Sequence, residues 1–96
     1  MKMIFQWDEA KNLINQRKHG FSFVDAVEAF GDPLSVIIFD RFENGEVRWQ
    51  TYGMLKGGLL IVVHTIRDER DAEIIRIISA RRATKHERQR YEEQDG

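Results

Sequence analysis

Leu59–Ile66, LLIVVHTI, is the most apolar stretch of the chain, and the fold turns on how it is read. Its nearly unbroken hydrophobicity marks a strand covered on both faces, hence a central one. Upstream, Lys56-Gly57-Gly58 supplies a tight turn into it, and Val47, Trp49 and Thr51 alternate with Arg48, Gln50 and Tyr52 as a strand does. Trp49 is assigned to the core and Tyr52 is left open. Asn44-Gly45 is a hairpin signal linking that strand to the compact run Leu34–Phe39. Downstream, Asp68–Ala72 reads as a polar loop and Glu73–Ala80 (EIIRIISA) as the last strand. Thr84 and Glu87 then form a T-x-x-E capping box that opens a short helix to about Glu93.

The N-terminal third has a different period. Met3–Trp7 suits a first strand. Asp8 is placed to cap a helix over Asp8–His19, in which Ala10, Leu13 and Ile14 follow helical spacing and Arg17, Lys18 and His19 sit at the negative end of the dipole. Gly20 is the left-handed stop. Ser22 with Asp25 resembles a capping box for a second helix, with Phe23, Ala26, Val27 and Phe30 as its buried stripe, ended by Gly31-Asp32-Pro33. The expected order is β-α-α-β-β-β-β-α, an α+β fold with two N-terminal helices packed on a mostly antiparallel sheet and a short C-terminal helix. Residues 1–96 form one domain in this reading.

Composition narrows the function classes. At 42% apolar and 32% charged residues, the chain has enough hydrophobicity to fold and too much charge for a membrane protein. Leu59–Val63 is far shorter than the roughly 20 residues that cross a bilayer, and no signal pattern opens the sequence, so cytoplasmic residence without membrane contact is expected. The absence of cysteine excludes disulfides, thiolate metal sites and a cysteine nucleophile. The net charge of −1 hides an uneven distribution: residues 76–90 hold six Arg or Lys against Glu87 alone, which leaves nine basic and fifteen acidic residues elsewhere.

No nucleotide-binding glycine loop, zinc-binding helix or calcium loop is present, so no metal or cofactor is expected. Cleavage of RNA by its own 2′-hydroxyl needs only a proton acceptor, cations for the phosphorane and a proton donor. Arginine suits the cationic role and histidine either proton role, which singles out His64, Arg67, Arg76, Arg81 and Arg82. His64 is either a core histidine with one hydrogen-bond partner or a catalytic group. It faces Arg76 only if the last hairpin pairs residue 64 with residue 76. Arg76 breaks an isoleucine run, so it lies at a sheet edge or beside a cleft. Arg81 and Arg82 leave the strand on opposite faces next to the Thr84 cap, as phosphate ligands or as a solvated strand end. Lys18 and His19 serve either the helix dipole or a site, and Tyr91 either stacks on a base or anchors the last helix. Glu46 is an alternative proton acceptor.

These segments together resemble a known family. FQWDEAK (Phe5–Lys11), RKHGFSF (Arg17–Phe23), DPL (Asp32–Leu34), VVHT (Val62–Thr65), RIISARRAT (Arg76–Thr84), Glu87 and Tyr91-Glu92 are similar, in this order, to the BrnT toxins. The resemblance implies a RelE-like fold and a metal-independent endoribonuclease that inhibits translation. It implies a BrnA-type antitoxin as partner, RNA as substrate, operator DNA bound only through the antitoxin complex, and a dimer of toxin-antitoxin heterodimers as a candidate assembly. On these motifs Arg67, Arg81 and Arg82, with His64, become catalytic candidates, and Arg76 and Lys18 substrate-binding ones. The stretch Asp68–Glu73 departs from the pattern by being longer and more acidic. The competing reading is a non-catalytic module that binds an antitoxin or nucleic acid through the same basic surface.

Overall fold

The computed structural model describes residues 2–95, and its elements follow the expected order. They are β1 (Lys2–Gln6), α1 (Glu9–His19), α2 (Phe23–Ala29), β2 (Val36–Glu43), β3 (Glu46–Leu55), β4 (Gly58–Glu69), β5 (Ala72–Arg82) and α3 (Lys85–Asp95). The five strands form one sheet in the order β1-β5-β4-β3-β2. Among the described residues only the β1–β5 pair is parallel. β4 is the middle strand, as its hydrophobicity requires, and its Leu59–Thr65 segment is buried.

Local chemistry sets the boundaries. The Asp8 carboxylate accepts from the Ala10 and Lys11 amides, and Gly20 closes α1 at φ 81°. Ser22 and Asp25 make a complete capping box on α2, and Thr84 and Glu87 exchange the same two bonds on α3. The hairpin residues Asn44 and Gly45 both have positive φ.

α1 and α2 pack on one face of the sheet. Phe23, Ala26 and Ala29 meet Leu55, Leu60, Val62, Ile75, Ile77 and Ala80 there. α2 approaches β3 so closely that a Cβ on Gly53 would lie 2.1 Å from the Ala29 carbonyl oxygen. α1 does not follow the ordinary amphipathic plan: Leu13 and Ile14 are 49% and 60% exposed, while Asn12 and Asn15 are buried. The reason is a sheet edge. β1 pairs with β5 only as far as Arg76, so the outer side of β5 is bare beyond it. Asn15 completes it, with Nδ2 donating to Ala80 O (2.9 Å) and Oδ1 accepting from Ala80 N (3.0 Å). Asn12 Oδ1 accepts from Phe23 N at 2.7 Å and fixes the α1–α2 corner.

Three expectations are corrected. Asp68–Ala72 is not a loop: Asp68 and Glu69 continue β4, Ala72 begins β5, and only Arg70 and Asp71 turn the chain. β5 runs on to Arg82 instead of ending at Ala80. Trp49 is half-buried at the rim against Phe39, whereas Tyr52 is buried.

Candidate functional site

Among the described residues, the face of the sheet opposite α1 and α2 is covered at one end alone, where Tyr91 of α3 packs on Tyr52, Leu59 and Ile61. Register decides which side chains reach it. The two-residue turn sets Thr65 opposite Arg76 and His64 opposite Ile77, and a bulge between Val63 and His64 restores Ser79 to Val63 and Arg81 to Ile61. Arg76 and Arg81 therefore both point to the open face, whereas His64 points into the helical layer. β1 pairs with Arg76, so that residue is not at an edge.

At the covered end, Arg81 makes a two-pronged ion pair with Glu87 of α3, at 2.8 and 2.9 Å. Glu87 also accepts from the Thr84 amide. The Arg81 hydrogen bond, aided by that amide, holds the Glu87 carboxyl down to about 2, and Glu87 in return raises the Arg81 pKa. Tyr52 lies beside the pair, and its ring stacks on Tyr91 with 6° between planes. Tyr91 donates to the Leu34 carbonyl, so it anchors α3 to the body. The Tyr52 hydroxyl donates to Gln50 Oε1 (3.1 Å), and Gln50 Nε2 donates to Asp40 Oδ1 (3.2 Å). Burial, then the nearby Glu87 charge, push the Tyr52 phenol up and keep it protonated.

Farther along the open face Arg76 binds Glu46 at 2.7 Å, and Arg48 pairs with Glu43. The Arg48 Nε is buried and finds no partner among the described residues. Arg67 shares the face but sits six residues from Ile61 on β4, about 20 Å from Arg81 at strand spacing, and pairs with Glu69.

The remaining sequence candidates are elsewhere. His64 is fully buried between Thr51 and the Phe30 ring. Its Nδ1 faces the Thr65 carbonyl at 3.2 Å and so carries the hydrogen, which leaves Nε2 to accept from the Thr51 hydroxyl at 2.7 Å. Burial lowers its pKa and keeps it neutral. Arg82 lies on the helical side, donating to Leu55 O (2.8 Å) and covering the Phe21 ring at 4.7 Å. Lys18 is exposed on α1, over a groove against Ile78 and Ser79. Tyr52, Gln50 and Asp40 are the site residues that periodicity missed. The available signal was parity, since Gln50 and Tyr52 alternate onto one face of β3, the same face that carries Arg48 and Glu46. Among the described residues no three His, Asp or Glu side chains gather as a metal-binding group.

The family model for the ribonuclease toxin BrnT of type II toxin-antitoxin systems matches residues 7–87. The chain belongs to the BrnT family. No curated protein matches it. The span shared with the BrnT model contains Lys18, His64, Arg67, Arg76, Arg81, Arg82 and Glu87, and stops short of Tyr91. No described helix of this BrnT-family chain is long and apolar enough to cross a membrane.

Proposed function

We propose that this toxin is a RelE-like endoribonuclease that cleaves RNA without a metal, arrests translation in the cytoplasm, and is silenced by a BrnA-type antitoxin. The observation that carries the reading is the grouping of Arg81, Glu87 and Tyr52 where α3 meets the sheet face opposite α1 and α2. A phosphate entering there competes with Glu87 for the Arg81 fork, because both present two oxygens to it. As Arg81 turns to the phosphate, Glu87 loses the hydrogen bonds that do most to depress its pKa and becomes a better proton acceptor for the 2′-hydroxyl. The 2′-oxygen then attacks phosphorus, the bond to the 5′-oxygen breaks, and Arg81 offsets the phosphorane charge. In this scheme the protonated Tyr52 hydroxyl gives up its bond to Gln50 Oε1 and donates to the departing oxygen as the strand enters beside α3.

In this scheme Arg76 binds a neighbouring phosphate, Arg67 and Lys18 steer the strand, and His64 and Arg82 hold the scaffold. Incubation of end-labelled RNA with the toxin in excess chelator tests it. Products with 2′,3′-cyclic phosphate and 5′-hydroxyl ends are expected; cleavage abolished by chelator, or 5′-phosphate ends, overturns it. One observation favours a non-catalytic binding module instead: Arg76 and Arg81 already carry carboxylate partners, which lowers the free positive charge of the face. Unimpeded growth on expression, with tight antitoxin binding, is the outcome that reading predicts.

A further inference from the structure

The two helices cover only part of their side of the sheet. α2 stops at Ala29, and beyond it the same face continues as an apolar shelf through Met3, Ile66, Trp49, Phe39 and Phe42, with buried Ile75 beneath it. Phe39 and Phe42 are 59% and 67% exposed, and Ile37 beside them is 49% exposed. Taking roughly 200 Å² for a phenylalanine, those two rings present about 250 Å². With Ile37, Val47 and Met3 the patch reaches roughly 400 Å², a size that marks interaction sites on monomers and about half of one side of a standard interface. Between Met3, Phe30 and Ile37 it dips into a groove of about 280 Å³. Thr51 and His64 at its floor are bonded to each other, so the groove suits an apolar side chain.

Charge narrows the occupant. Asp68 and Glu73 are paired across β4 and β5 at the end of the shelf, and neither makes an ion pair with a described side chain. Glu28 is exposed on the last turn of α2. Arg48, Arg76 and Arg81 all lie on the opposite face. An acidic, apolar shelf repels RNA, and a second copy would bring the same acids to it. We propose that the shelf is the docking surface for the antitoxin, through an amphipathic segment that seats apolar side chains on Phe39, Phe42 and the groove and places Lys or Arg against Asp68 and Glu73. The partner's identity rests on the toxin reading above.

Calorimetric titration of the purified chain with the antitoxin encoded beside it tests the assignment. Phe39→Ser/Phe42→Ser is expected to weaken binding at least 100-fold while RNA cleavage is kept, because central aromatic anchors dominate interfaces. Arg76→Ala/Arg81→Ala is expected to bind within about threefold of wild type. Asp68→Lys/Glu73→Lys, at one exposed and one half-buried position of the hairpin, is expected to bind about tenfold more weakly and carries the test should the double serine variant fail to fold. A folded serine variant that binds within threefold, or a charge reversal that tightens binding, overturns the proposal. So does a wild-type dimer in sedimentation that the serine variant dissolves, since the shelf then belongs to a second copy. Antitoxin binding through the shelf by a wild-type chain that cleaves no RNA sinks the nuclease reading and leaves the docking surface standing.

Discussion

Replacing Asn15 by alanine should unfold this protein more readily than removing any aliphatic side chain of the same helix. Asn15 satisfies three backbone groups: the carbonyls of Phe21 and Ala80 and the amide of Ala80, all within 2.9–3.0 Å. Ala80 is fully buried, so its amide and carbonyl have no water to turn to. Each orphaned buried group costs about 1–3 kcal/mol, and some water entry into the vacated space softens the sum to about 3–5 kcal/mol. An unfolding entropy of about 0.2 kcal/mol per degree, taken from the typical per-residue value, converts this to a melting temperature lower by about 15–25 °C. Leu13→Ala and Ile14→Ala, on the exposed face, should each cost under about 1 kcal/mol. Urea titrations followed by circular dichroism give all three values. An Asn15→Ala cost below that of Ile14→Ala would refute the inverted reading of α1.

Buried, neutral His64 has a folded pKa below its unfolded value of 6.5, so the unfolded chain binds the extra proton. Its contribution to stability is full above pH 6.5 and is lost as pH falls below it; urea midpoints at pH 7.5 and 5.5 should show the drop, and a His64→Gln variant should flatten it. Gly53→Ala should cost at least about 2 kcal/mol, because its Cβ meets backbone atoms of Ala29 that only a shift of α2 can relieve; an unchanged midpoint would contradict the close approach. Arg82→Ala should lower stability by about 1–2 kcal/mol through the lost Leu55 bond and Phe21 contact. Its RNA cleavage rate should stay within about twofold, and a loss as large as that of an Arg81 variant would move Arg82 into the reaction.

Local signals were legible in the sequence wherever one short segment contains both partners. The Ser22–Asp25 and Thr84–Glu87 boxes, the Asp8 cap, the Gly20 stop and the Asn44-Gly45 turn are all of this kind. The inversion of α1 was not, because two of the three groups that Asn15 satisfies lie 65 residues away on a bare strand edge. Asp68 and Glu69 read as loop for the opposite reason: the β4–β5 hairpin reaches past the helical layer, where polar side chains are compatible with strand pairing. For the site, parity put Arg81 and Arg82 on opposite faces, and the family motif pointed to both. Only the hairpin register and the bulge after Val63 showed that Arg76 joins Arg81 and that His64 does not. Tyr52, Gln50 and Asp40 depend on β2 and β3 lying side by side, which no single strand pattern reveals.

Single-turnover cleavage of RNA by Arg81→Ala, measured in chelator with the variant's circular dichroism shown unchanged, is the most direct test that the open sheet face does the chemistry. Loss of a forked cation at a developing phosphorane should slow cleavage by about 10²–10³-fold, with His64→Gln close to wild type once corrected for its folded fraction. An Arg81→Ala rate within threefold of wild type, or a His64→Gln rate that collapses while the fold persists, would place the reaction elsewhere.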